Sequence, residues 1–317
     1  MVVCAGILVS DLFVPPLVEV PLPGQLIQID PPLYQSGGCA ANTATDLASL
    51  GARVRVCGRV GDDGLGTQVI DELKASGVEV DAITRSLTSA TSQTVVLSIV
   101  GDDRRFLHSI GANAELTAAD IDQGAKDATI LVIGGYLVLP GLLAEELLPV
   151  IDRARASGTM VLLDVVVPLG AQGAASQLRP LLPHVDAFLP NEDEARALTG
   201  QADPISQASV LLSWGCPQVV ITCGSGGAVY ASAEQVLRVD PLQIEFVDGS
   251  GAGDAFTAGF ILGVLRGWPI QDTLRYAAAL GASVCRGLGC HSTLFTDEEA
   301  RDRMAGVEVH WVASGAI

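Results

Sequence analysis

Positive charge is scarce in this sequence: 18 Lys and Arg stand against 36 Asp and Glu, a formal net charge of −18 over 317 residues. A partner that presents a phosphate backbone needs clustered Lys and Arg, so this balance excludes a nucleic-acid-binding role. It leaves a free nucleotide open, because backbone N–H groups, a few cations and Mg²⁺ can hold one in an acidic protein. The charge itself serves solubility. Cysteine is equally uninformative as a scaffold: Cys4, Cys39, Cys57, Cys216, Cys223, Cys285 and Cys290 are odd in number and form no C-x-x-C pair. That excludes a disulfide framework and a structural zinc site, and makes reduced thiols the expectation. Aromatic residues make up only 4%, which leaves few flat faces for a planar ligand to stack on. Signals for export or insertion are also missing. Met1-Val2-Val3-Cys4-Ala5-Gly6 has no basic region or cleavage site, and the uncharged run Ala128 to Ala144 is cut by Gly134-Gly135 and Pro140-Gly141. A soluble, cytoplasmic protein with no membrane partner is therefore expected. The chain is long enough for one large α/β domain with an inserted element, or for two domains.

What is present is organised around Val247-Asp248-Gly249-Ser250-Gly251-Ala252-Gly253-Asp254-Ala255-Phe256. Small residues run into Asp254, and Ala255 to Leu265 reads as a buried helix. Such a turn places free backbone N–H groups at a helix N-terminus, where the helix dipole favours an anion such as phosphate. A carboxylate beside a resting phosphate repels it, unless that carboxylate takes a proton from whatever attacks the phosphate. Asp254 is accordingly the candidate base. On its own, the same glycine-rich turn also fits a helix start packed tightly on a strand.

Around this turn the chain reads as alternating buried strands and helices, the pattern of a doubly wound parallel sheet. Val2 to Val9 is a strand that delivers Asp11 just beyond its end, at the edge where open parallel sheets bind ligands. From Leu12 to Tyr34, prolines exclude helix and predict edge strands, including the β-prone run Leu26 to Ile29. Ser36-Gly37-Gly38-Cys39-Ala40-Ala41-Asn42 opens a helix to Leu50. Val54 to Cys57 is a strand, followed by Gly58-Arg59-Val60-Gly61-Asp62-Asp63-Gly64-Leu65-Gly66 and a helix from Val69 to Ser76. Gln93 to Val100 and Arg104 to Ile110 form a hairpin around Gly101-Asp102-Asp103. Later come strands at Ile130–Ile133 and Met160–Asp164, with a helix at Leu142–Ser157 between them. Asn191 and Glu194 stand where a strand enters a helix, so they could do no more than cap it. Gln218 to Thr222 runs into the glycine turn Cys223 to Gly227, which is neither a Walker A loop nor a dinucleotide fingerprint.

Five of these segments, in this order, resemble the signatures of the ribokinase-like carbohydrate kinases, the phosphofructokinase B family. Gly37-Gly38 with Asn42, and the Gly-x-x-Gly-x-Asp-x-x-Gly that begins at Gly58, match its N-terminal motifs. Asn191-x-x-Glu194 and Thr222-x-Gly224-x-x-Gly227 match its metal and nucleotide elements. Asp248 to Asp254 matches its C-terminal Asp-Thr-Thr-Gly-Ala-Gly-Asp, with Gly249 in place of the common Thr. The resemblance spans nearly the whole chain. It implies a single domain over residues 1–317 with a three-layer α/β/α fold, a mostly parallel central sheet and a small β-sheet lid inserted at about 12–36 and 93–110.

The same resemblance implies transfer of the γ-phosphate of ATP to a hydroxyl of a small carbohydrate. Asp254 would be the base, and the Gly251, Ala252 and Gly253 backbone the anion hole. Asp11, Gly37, Gly38 and Asn42 would hold the sugar, joined by Asn113 from a Gly-Ala-Asn-Ala segment familiar in ribokinases. Asn191, Thr222, Gly224 and Gly227 would serve the nucleotide and Glu194 a hydrated Mg²⁺. A K⁺ site would draw on Asp248, Ser250 and carbonyls near Ser283, Arg286 and Gly289, where a one-residue insertion blurs the match. Where ribokinases place a sugar-contacting Glu, this chain has Gly134-Gly135-Tyr136, which predicts room for a sugar larger than ribose. Two relatives' modes of action stay open: a nucleoside kinase, mildly disfavoured by the low aromatic content, and a non-catalytic sugar- or nucleotide-binding regulator. A lidless vitamin-precursor kinase is disfavoured by the Leu12–Ser36 insertion. By analogy with relatives, the lid strands could pair two subunits.

Overall fold

The computed structural model describes residues 1–101 and 104–314, so Asp102 and Asp103 of the expected hairpin turn lie outside the described residues. The apolar run at the N-terminus is two strands rather than one. β1 (Val2–Gly6) stops where Gly6, at φ +146°, lies so close to Gly134 that a Cβ would sit 2.1 Å from the Gly134 carbonyl oxygen. Only glycine fits that approach. After Ile7 and Leu8 the chain restarts as β2 (Val9–Leu17), which leaves the main sheet and carries Asp11 within it. β3 (Leu33–Gly37) leads into α1 (Cys39–Ser49), followed by β4 (Val54–Gly61), α2 (Gly64–Ala75) and β5 (Glu79–Ser86). The hairpin β6 (Gln93–Ile99) and β7 (Arg105–Ser109) precedes α3 (Ala118–Gly124).

The remaining chain alternates as expected. β8 (Ile130–Gly134), α4 (Ala144–Ala156), β9 (Met160–Leu163), α5 (Ala174–Leu178), β10 (Ala187–Phe188), α6 (Glu192–Thr199) and α7 (Pro204–Ser213) lead to β11 (Gln218–Thr222), β12 (Ala228–Ser232) and β13 (Gln235–Val239). Then α8 (Ala252–Leu265), α9 (Ile270–Val284) and α10 (Asp297–Met304) run to β14 (Val309–Ser314).

The main sheet has ten strands in the order β14-β13-β12-β11-β10-β9-β8-β1-β4-β5. From β5 to β11 every pairing is parallel, and the β11–β14 end is antiparallel. Both faces are covered, because successive β1 residues serve opposite cores. Val2 and Cys4 pack with α1, α2, α8 and α9, while Val3 and Ala5 pack with α3, α4, α6 and α7. α8 is buried continuously from Ala255 to Gly263. It lies between α1 and α9, so it shows no polar stripe. Gly259 and Gly263 permit the approach to α9, since a Cβ there would come within 2.6 Å of Ala277 Cα and 2.5 Å of Thr273 Oγ1.

A separate four-stranded sheet, β3-β2-β6-β7, stands beside this core. β2 pairs in parallel with β6, and the register slips between Val14 and Leu17, at Pro15-Pro16, which have no N–H to give the ladder. Residues 18–32 form no strand, so the expected Leu26–Ile29 strand is absent and Leu26 is exposed. Hydrophobicity there finds no partner edge. All seven cysteines are free. Among the described residues no helix is long and apolar enough to cross a membrane.

Candidate active site

The centre of the site is the start of α8. Gly251 caps the helix in the left-handed conformation, φ +76°, and is pressed against the loop after α9: a Cβ would lie 2.7 Å from Cys290 O and 2.8 Å from Cys290 Cβ. Ala252 N–H gives a long 3.3 Å bond to Gly249 O, while Gly253 faces open space. Asp254 sits in this first turn. Its Oδ2 accepts a 2.8 Å hydrogen bond from Asn42 Nδ2 on α1, across 212 residues of sequence. Burial pushes its carboxyl up to about 7; the Asn42 bond opposes that shift, Asp46 and Asp11 add to it and His291 subtracts. A carboxyl poised there can exchange a proton with a neutral hydroxyl near physiological pH.

On the side facing the small sheet, β2 and β3 bring Asp11 next to α1. Gly37 has no side chain because the Asp11 carboxylate fills its place: a Cβ would be 1.8 Å from Asp11 Oδ2. Gly38, at φ +90°, caps α1 under the Ile7 carbonyl, and its own carbonyl accepts the Asn42 N–H. Burial raises Asp11 to about 6, tempered by a hydrogen bond from Thr94 and by the charge of His291. Asn42 Oδ1 is buried without a protein partner, an unspent acceptor beside the base.

Asn113 is engaged within the protein. It is fully buried and its amide is spent on one residue: Leu8 N donates to Oδ1 at 3.1 Å and Nδ2 donates to Leu8 O at 3.0 Å. It therefore splices the gap between β1 and β2. At Gly134 and Gly135 a Cβ would meet Cys39 and Ile7, and Tyr136 is buried.

On the opposite side lie three carboxylates that feel one another. Asn191 caps α6 through Oδ1, which accepts Glu194 N at 2.9 Å, and Glu194 Oε2 accepts Asn191 N at 2.9 Å. This is the capping arrangement the bare sequence allowed, yet Glu194 does more. Burial raises it to about 7, with Asp254 adding to the shift. Asp164, just past β9, rises well above the usual carboxylate range through burial and the charges of Glu194 and Asp254. No motif pointed to Asp164, although a lone acid ending a buried apolar strand is the same signal that singled out Asp11. Mutually repelling acids of this kind suit a divalent cation held through water. Among the described residues, the group able to ligate one ion directly is elsewhere, at Asp240, Glu308 and His310 on the surface. Thr222 bridges to Asn191, which places the exposed turn Gly224–Gly227 beside α6. Gly227 is locked by the Val239 carbonyl, 1.9 Å from where a Cβ would be.

Of the expected K⁺ ligands, Asp248 and Ser250 are paired with each other just before α8. Asp248 Oδ1 accepts Ser250 Oγ at 3.2 Å and Asp248 Oδ2 is a buried, unpartnered acceptor, which would suit a cation. Ser283 O, however, already accepts Arg286 Nε at 3.0 Å and Thr293 Oγ1 at 2.8 Å. A guanidinium on that oxygen repels a second cation. Gly289, at φ +90°, turns against Gln35, whose Oε1 accepts Cys290 N at 2.9 Å. Ser283 O is thus already engaged, and the Arg286 side chain ties Ser283 O to Thr293 O.

A glycine-capped helix start holding a half-buried carboxylate, set at the edge of a mostly parallel sheet beside a small second sheet, defines a ribokinase-like kinase. The chain belongs to the PfkB family: the profile described as pfkB family carbohydrate kinase matches residues 1–297. The ribokinase of Schizosaccharomyces pombe is 30% identical over 294 residues, covering 86% of this chain and 88% of its own. The Arabidopsis thaliana ribokinase complexed with ribose and ATP superposes with a TM-score of 0.78 at 23% identity, over 96% of this chain and 98% of that one. An E. coli protein solved with ATP and Mg²⁺ gives 0.78 at 24% identity, over 96% and 99%.

Proposed function

We propose that the protein transfers the γ-phosphate of ATP to a hydroxyl of a small carbohydrate. The observation that carries this reading is the Asp254 carboxyl, raised to about 7 and held by Asn42 at the N-terminus of α8. Asp254 takes the proton of the acceptor hydroxyl as its oxygen forms a bond to the γ-phosphorus and the bond to the β–γ bridging oxygen breaks. The Gly251, Ala252 and Gly253 N–H groups and the helix dipole face the charge that spreads over the transferring oxygens. Asp11, Gly37, Gly38 and Asn42 form the acceptor side, and Asn191, Thr222, Gly224 and Gly227 the nucleotide side. Glu194, with Asp164, is suited to hold a hydrated Mg²⁺, which would offset phosphate charge. The four-stranded sheet acts as a lid that excludes water. Exposed apolar residues on it, Leu33, Tyr34, Phe106 and Leu107, support pairing of two copies, and seven free thiols suit a cytoplasmic setting.

The test is ADP release with Mg-ATP against a panel of sugars, sugar acids, sugar phosphates and nucleosides. Asp254→Asn should lower kcat at least about a hundredfold with nucleotide binding retained. Near-normal turnover in that variant removes the base assignment. Silence of the unaltered protein across the panel, with ATP still bound, favours the regulator instead.

A further inference from the structure

α1 presents two polar side chains one helical turn apart. Asn42 holds Asp254, and Asp46, which is fully buried, holds His291: Asp46 Oδ1 and His291 Nδ1 are 2.9 Å apart. A carboxylate is unexpected among Ala44, Leu47 and their neighbours, since a buried charge is tolerated only when paired. The pairing fixes the imidazole. With the Nδ1 proton directed at Asp46, Nε2 is the ring nitrogen left for another partner. That nitrogen is buried with no protein partner, and so are Asn42 Oδ1 and Asp46 Oδ2. Three unspent polar atoms on neighbouring side chains are more than a finished interior tolerates. His291 is also close enough to Asp254 and to Asp11 for its charge to act on both. Its neighbour Cys290 packs on Gly251 and donates its N–H to Gln35 Oε1, which puts this loop against the start of α8 and β3.

We propose that His291, oriented by Asp46, is an acceptor-site residue: its Nε2 hydrogen-bonds a hydroxyl of the acceptor other than the one phosphorylated, and so helps select it. The inference rests on the kinase reading. The class of acceptor follows from the surrounding charges. Asp11 from β2, Asp46 from α1 and Asp254 from α8 outnumber the imidazole and the Arg104 guanidinium, which donates to Gly249 O, so an acidic or phosphorylated acceptor is disfavoured where an uncharged polyol is not. Hydroxyls match the donors and acceptors available.

The experiment compares His291→Ala, His291→Gln and Asp46→Asn with the unaltered protein, by steady-state kinetics and by calorimetric binding of the acceptor. His291→Ala should raise the acceptor KM and Kd about tenfold or more, with the ATP KM within about twofold. His291→Gln, whose amide can still hydrogen-bond, should recover part of that loss. Asp46→Asn should move the same constants in the same direction by less. Unchanged acceptor binding in His291→Ala overturns the proposal. So does a parallel rise in both KM values with a fall in Tm, the mark of a residue that only ties its loop to α1. A preference of the unaltered protein for sugar acids or sugar phosphates over neutral sugars overturns the acceptor class. Absence of turnover in the unaltered protein defeats the kinase reading and this one together, whereas turnover with an inert His291 defeats this one alone.

Discussion

Asp254 links rate and stability through one proton. Its raised affinity means the base form is scarce below about pH 7 and dominant above, so kcat/KM should climb with pH through that region and level off. A pH–rate profile flat from about pH 5.5 to 8 would dismiss Asp254 as the group that must be ionised. The same shift has the opposite sign for stability. A carboxyl raised in the folded state stabilises it below the unfolded value and loses that contribution as pH rises through the folded value. Asp11, raised to about 6, and Glu194, raised to about 7, add in the same direction. The ligand-free protein should therefore melt lower at about pH 8 than at about pH 5.5. Asp254→Asn should raise Tm at the higher pH by about 2–5 °C while lowering kcat at least about a hundredfold. A melting scan of both proteins at the two pH values checks it, and an Asn variant no more stable than its parent at pH 8 counts against burial as the cause.

Among elements, legibility depended on how local the cause was. α8 was readable because its start needs small residues and an acid in unbroken sequence, and α1 because Gly37-Gly38 opens it. The break between β1 and β2 was not, since its cause is Gly134, distant in sequence and pressed against Gly6. Asp164, Asp46 and His291 were passed over because only the packing of α1, α8 and the loop after α9 shows what each one faces. Asn113 shows the same limit: a loop Asn resembles a turn former or a ligand residue, and its bonds to Leu8 appear only in the fold. This gives Asn113 a testable signature. Asn113→Ala strands the Leu8 N–H and carbonyl in the core, so it should cost about 2–4 kcal/mol of unfolding free energy. Denaturant melts measure that cost. Acceptor KM should stay near the parent value, and a large rise in KM with little loss of stability would restore the sugar-binding role.

At the scale of the molecule, the surplus of acid and the exposed apolar residues of the small sheet pull against each other. Tyr34 and Leu107, 53% and 62% exposed, lie on one face of a sheet whose outer strands, β3 and β7, are both edges; Leu33 and Phe106 lie on the other face, with buried Phe13. An edge of this kind invites another strand. A second copy is the partner the reading favours, but each copy brings a formal charge of −18. Two such bodies repel at low ionic strength, and salt screens the repulsion while leaving apolar burial intact. Self-association through the lid should therefore strengthen as salt is raised from about 20 to 200 mM, the reverse of an interface built on ion pairs. Sedimentation velocity across that range should show the dimer fraction growing, and Leu107→Asp, which places a charge on the apolar face, should hold the protein as a monomer throughout. A monomer at every salt concentration removes the paired lid. A dimer that dissolves as salt rises moves the contact to a charged surface and leaves the lid free to open and close on each copy alone.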